Sequence, residues 1–201
     1  MPMIDAPLAE VLAGHHPRTA VEAVDLSRAR ALAGAAADPW LRSTPLHATA
    51  SALIVHPPTG RVLLRGHTRE RAWPQMGGHG EAGESAPLAI ALREAREETG
   101  LRDLTPWPDA SLLQVAVVPV AARVAGAAQR AEPAHEHADL RFVFATAEPE
   151  GVRAENADAR LRWLTPAEAR ALTSQPHVRD ALGRVERLLA TRGGGEDGGR
   201  A

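Results

Sequence analysis

The chain has 201 residues, 25 acidic against 23 basic side chains, a formal net charge of −2, and no cysteine, lysine or tyrosine. That length suits one ordinary domain with an appendage, and the near-neutral balance lacks the basic stripe of a general nucleic-acid surface. Without cysteine there is no disulfide framework, thiol nucleophile or Cys-ligated zinc, and without lysine no P-loop or Schiff base. The remaining chemistry belongs to Glu, Asp, His, Arg, Ser and Thr.

Residues 1–45 read as an N-terminal helical extension. Ala6–Leu12 is a short candidate helix. Thr19–Ala37 is a longer one, with Val21, Val24, Leu26, Ala29 and Leu32 near helical spacing. Asp38-Pro39 ends it, because the residue before proline avoids the helical region. Three readings stand for this segment: a packing appendage, a lining of a substrate pocket, and a homodimer contact. The first residues lack the basic start and apolar centre of a signal peptide. No apolar run reaches the ~18–20 residues of a membrane span. No membrane partner and a cytoplasmic location are therefore expected.

Residues 46–191 read as the main domain, of α/β class. Ala48–Val55 and Arg61–Arg65 are strands joined by the turn Pro57-Pro58-Thr59-Gly60, a hairpin pattern. A short strand from Trp73 to Met76 leads into a glycine loop. Pro87–Thr99 is a helix closed by Gly100. Leu112–Ala122 is a Val-rich strand. Ala138–Ala145 alternates with period two, as a half-buried strand does. Arg160–Leu164 is the last strand. Thr165-Pro166-Ala167-Glu168 opens a helix with a capping pattern, and Pro176–Thr191 is the final helix. Residues 192–201, without apolar content, are expected to be disordered.

The chemistry concentrates between Gly77 and Gly100. Gly77, Gly78, Gly80 and Gly83 allow close backbone approach to a ligand. In the helix that follows, Glu94, Glu97 and Glu98 stand at i, i+3 and i+4, so their carboxylates share one face. A solvated helix face normally mixes signs. Here Glu94 has no basic partner on its own face, and Glu97 and Glu98 crowd the negative end of the helix dipole. A hard divalent cation would offset that repulsion. The pattern of glycine loop and acidic helix points to a site for cleaving a diphosphate.

This stretch resembles the Nudix box: Gly, five residues, Glu, seven residues, then Arg-Glu-apolar-x-Glu-Glu-x-Gly-apolar. Gly78 and Glu84 match the opening, and Arg93, Glu94, Ala95, Glu97, Glu98, Gly100 and Leu101 match the close. Eight residues rather than seven separate Glu84 from Arg93, and Met76 stands where many members have proline. The resemblance implies an α/β/α sandwich with a mixed sheet. It implies Mg²⁺, with Mn²⁺ as the alternative ion, held by Glu97 and Glu98, with Glu94 as a further ligand or the base that activates water. Arg93 would orient a glutamate, and the Gly77 carbonyl would complete the metal shell. Gly78, His79, Glu81 and Glu84 would meet substrate. The reaction implied is hydrolysis of a diphosphate linkage in a nucleoside diphosphate derivative.

Outside the box, Glu136 or His135 in the stretch His135-Glu136-His137-Ala138-Asp139 is read as a loop base or an extra ligand, or the stretch as a polar loop whose His137 and Asp139 pair with neighbours. Zinc is not expected there, since His-x-His has no further ligand at the usual spacing. Glu155 is a candidate late metal ligand. His47, Arg65 and Trp73 are candidates to line the pocket, with Trp73 stacking on a base. Two alternatives to a hydrolase are carried: a prenyl-diphosphate isomerase, disfavoured because that chemistry usually relies on a cysteine, and a non-catalytic Nudix-fold sensor or binding module.

Overall fold

A computed structural model describes residues 4–67, 75–124 and 131–193. The expected tail falls largely outside these residues, at 194–201, and so does Trp73.

Seven strands form a mixed sheet: β1 (Leu46–His56), β2 (Arg61–His67), β3 (Met76–Gly78), β4 (Thr105–Pro106), β5 (Gln114–Val120), β6 (His135–Ala145) and β7 (Ala159–Leu164). The order is β4-β6-β1-β2-β7, with β3 also on β1 and β5 also on β6. Among the described residues only β1 and β6 run parallel, in a ladder from Leu46↔Glu136 to Val55↔Ala145; the other pairs are antiparallel. Among the described residues five α-helices accompany the sheet: α1 (Leu8–Gly14), α2 (Ala20–Ala35), α3 (Pro87–Thr99), α4 (Pro166–Leu172) and α5 (Pro176–Gly193).

Strand alternation divides the core into two layers. Ala50, Ala52 and Ile54 of β1 face one cluster with Leu26 of α2 and Ile90 and Ala95 of α3. Leu53 and Val55 face the other, with Val178, Leu182 and Val185 of α5. The result is an α/β/α sandwich, the expected fold class. The Thr165 hydroxyl and the Glu168 carboxylate form the reciprocal cap of α4.

Two expectations are corrected. The buried stripe of α2 is Glu22, Leu26 and Ala29, whereas Val21 and Val24 are 73% and 61% exposed. Glu22 turns inward because Arg184 of α5 meets its carboxylate at 2.8 Å, and Val115 N–H and His15 also bond it. The strand β6 is not half-solvated: it lies between β1 and β5 and is buried from Ala138 through Phe144. Its alternate polar residues, Asp139 and Arg141, are buried as an ion pair 2.8 Å apart. Period two here separates a polar cavity from an apolar core, not water from core.

Candidate functional site

The short strand β3 is the meeting point. It pairs with the middle of β1, Gly77 opposite Ser51 and Gly78 opposite Ala50. Both glycines are required. Gly77 has φ +148, and a Cβ there would lie 2.5 Å from Ser51 Oγ. A Cβ on Gly78 would lie 2.6 Å from the Glu94 carboxylate. The acidic helix α3 therefore packs its carboxylates directly against bare backbone. The Gly77 N–H donates to Glu98 Oε2 at 3.2 Å.

The three glutamates of α3 differ in environment. Glu97 is exposed, Glu94 largely covered, and Glu98 buried. Burial pushes the Glu98 carboxyl up to about 7, against the opposing pull of the Arg65 guanidinium 3.3 Å away. Burial also raises Glu94, with Arg93 opposing. The desolvated carboxylates lack enough positive charge of their own, and a cation beside them would supply it.

Arg93 corrects the expectation that Glu94 has no basic partner on the helix. Its NH1 reaches Glu94 at 3.0 Å and Glu97 at 3.1 Å. Its Nε and NH2 grip both oxygens of Glu84, each at 3.0 Å, and NH2 also donates to the His79 carbonyl. The long flexible stem folds back along the helix, so sequence adjacency did not prevent pairing. Arg93 holds the Glu84 carboxyl below its usual range. Despite the extra residue between Glu84 and Arg93, Glu84 still closes the fork. Glu81 donates its backbone N–H to Glu84.

A cavity of about 240 Å³ borders Gly77, Gly78, His79 and His137. Its polar wall centres on Asp139, which pairs with its neighbours as expected. Asp139 accepts from Ser51 Oγ (2.6 Å), Thr49 Oγ1 (3.0 Å), Gln75 Nε2 (2.7 Å) and Arg141 Nε. Arg141 continues to Gln114 and to the His177 carbonyl. His177, also on the cavity, is pushed down to about 4 by burial and by Arg141. Polar residues at alternate positions of an apolar strand were the available signal for this wall. Gln75, another lining residue, has a buried Oε1 without a hydrogen-bond partner among the described residues.

The other expected residues fall in two places. Glu155 pairs with Arg65 at 3.4 Å, so Arg65 bridges Glu98 and Glu155. Glu136 is bonded at both oxygens by Arg28 of α2 and is not among the residues lining the cavity. His47, His79, His135 and His137 come together in one cluster. Burial pushes His79 down to about 3 and His137 to about 4, so these rings are neutral near pH 7.

A protein-family model described as the NUDIX domain matches residues 45–184. No curated protein matches the chain in sequence. Two solved structures resemble it in fold. The E. coli dihydroneopterin triphosphate pyrophosphohydrolase has 20% identity and a TM-score of 0.51, over 74% of this chain and 97% of that one. A C. elegans Ap4A hydrolase in a binary complex has 17% identity and a TM-score of 0.54, over 72% and 98%. Among the described residues no helix is long and apolar enough to cross a membrane.

Proposed function

The chain belongs to the Nudix family and is a hydrolase acting on phosphoric anhydride bonds; we propose that it cleaves a diphosphate linkage in a nucleoside diphosphate derivative with Mg²⁺. The observation that carries this reading is the placement of Glu94 and the buried Glu98 against the Gly77–Gly78 backbone, with Glu97 beside them and a polar cavity next door. Residues 46–191 form the catalytic unit in this reading, and residues 1–45 a helical extension to it.

The donor set suits a hard ion: three carboxylates and a peptide carbonyl, all oxygen. Glu94, Glu97, Glu98 and the Gly77 carbonyl would hold it, with Mn²⁺ as the alternative. When bound, the ion neutralises diphosphate oxygens and polarises phosphorus. The chain's own residues supply the rest. Arg93 orients Glu84, Glu94 and Glu97 through one guanidinium. Glu94, its proton affinity raised by burial, takes the proton from the attacking water as an anhydride P–O bond breaks. Asp139 and Arg141 hold the cavity wall, and Gly78, His79 and Gln75 border the substrate.

The test is a substrate panel with Mg²⁺ and product analysis. It includes a nucleoside triphosphate, a dinucleoside polyphosphate and ADP-ribose, the second being the kind of molecule in the name of one structural neighbour. Turnover of at least one is expected, falling by at least about 100-fold in Glu97→Gln combined with Glu98→Gln. Turnover unchanged in that variant, or metal-independent turnover, would overturn the proposed site. Binding of metal and ligand without product would favour a sensor.

A further inference from the structure

We propose a second metal site, separate from the glutamates: His47, His79 and His137 bind one borderline transition-metal ion of the Zn²⁺ class, with His135 supporting them. Each of the three rings presents a nitrogen, and these nitrogens all lie within 4.8 Å of one another. They come from β1, the loop after β3 and β6, so no local sequence reason brings them together. The parallel ladder does it: His47 stands opposite His137 in the β1–β6 register.

The outer nitrogens show how the rings are held. His47 Nδ1 is 3.0 Å from the Thr44 carbonyl, and His135 Nδ1 is 2.9 Å from the Pro133 carbonyl. A carbonyl only accepts, so both rings carry a proton on Nδ1, and Nε2 is the nitrogen turned inward. This is the arrangement by which metal-binding histidines are commonly fixed, the far N–H bonded to a backbone carbonyl. His47 Nε2 faces His79 Nε2 at 3.0 Å, and His135 Nε2 faces His137 Nε2 at 3.1 Å. Two nitrogens on one tetrahedral zinc, with Zn–N near 2.0 Å, stand about 3.3 Å apart; the His47–His79 pair is near that spacing, and the His137 nitrogen, within 4.8 Å of both, closes by at most about 1.5 Å to reach it. Glu132 Oε1, 3.8 Å from His135 Nε2, adds negative charge at the rim.

The competing reading is a self-contained histidine cluster whose rings satisfy one another. Pairwise hydrogen bonds account for the His47–His79 and His135–His137 contacts; the metal reading rests on a His137 nitrogen also lying within 4.8 Å of those of His47 and His79. Imidazole favours zinc, copper, nickel or iron over Mg²⁺, whereas the glutamates favour the reverse. Three protein ligands leave one tetrahedral position, as in zinc sites that admit water or substrate. His79 and His137 both line the cavity, so an oxygen from its contents can take that position.

The chelator-treated full chain is titrated with ZnCl₂ by calorimetry, and separately with Co²⁺ by visible absorption. Expected are one Zn²⁺ per chain and the intense absorption of four-coordinate Co²⁺, both persisting in excess Mg²⁺ and in Glu97→Gln combined with Glu98→Gln. His137→Asn, shown to be folded by circular dichroism, should weaken Zn²⁺ at least about 10-fold. A weak six-coordinate Co²⁺ spectrum in the unaltered chain would overturn the site without recourse to any variant. So would Zn²⁺ affinity that is unchanged in His137→Asn, or that disappears with the glutamates. None of these outcomes depends on catalytic turnover.

Discussion

The segment Gly77–His79 has neighbours of two chemical kinds. On α3 and the loop before it lie oxygens gathered by Arg93: the carboxylates of Glu84, Glu94 and Glu97 and the backbone carbonyl of His79. Around the His79 ring lie imidazoles gathered by the sheet register. The first group is one helix and its preceding loop, and its spacing is written in consecutive residues. The second depends on strands 90 residues apart in the chain, His47 to His137. The difference teaches that adjacent clusters of hard oxygen and softer imidazole donors can share one backbone segment while resting on different levels of structure.

The largest effect is expected from a change that reaches both groups through their common scaffold. Glu22 is buried against Arg184, joining α2 to α5. Burial alone would raise its pKa, but hydrogen bonds from Arg184, the Arg18 N–H and His15 hold it down to about 2. Glu22→Gln leaves a buried guanidinium short of charge, and should cost about 3–5 kcal/mol in urea denaturation at neutral pH. Because the folded pKa lies below the ordinary 4.5, the stabilisation is fully present above pH 4.5 and is lost as pH falls toward 2. The parent chain should lose stability across that window with a contribution absent from Glu22→Gln. Equal acid slopes in the two proteins would remove Glu22 from the scaffold.

A smaller and more selective effect should separate the two groups. Gly78→Ala puts a methyl 2.6 Å from the Glu94 carboxylate, displacing it from the oxygen cluster. Turnover should fall about 100-fold, with Zn²⁺ affinity measured alongside changing less than 3-fold. Equal loss of both would mean that the two groups act as one. The smallest effect comes from a helix cap remote from the comparison. Thr165→Ala removes the α4 cap and should lower the thermal midpoint by only about 2–4 °C, leaving turnover at 25 °C unchanged.

Much of the fold could be read from periodicity. The helix Pro87–Thr99 and the strands around the turn at Pro57–Gly60 follow their expected bounds closely, because proline, glycine and alternation mark them locally. Thr105–Pro106 was not anticipated: two residues make too short a strand for any period. On α2 the expected stripe holds at Leu26 and Ala29 and fails at Val21 and Val24, for a different cause. Val21 and Val24 looked like the apolar face, but the charge of Arg184, 162 residues beyond Glu22, outweighed them. Arg93 illustrates the same limit at short range, since helical spacing alone did not show its side chain folding back to three glutamates.

The sequence by itself determined that a glycine loop leads into a helix carrying Glu94, Glu97 and Glu98 on neighbouring positions, because helical pitch turns spacing into a face. It also limited the available chemistry, through the residue types that are missing. Only the tertiary structure decided which of those carboxylates is desolvated, that Asp139 and Arg141 are an interior pair, and that His47, His79 and His137 meet. Burial and convergence depend on which strands become neighbours, and the β1–β6 register that sets this is a property of the folded sheet.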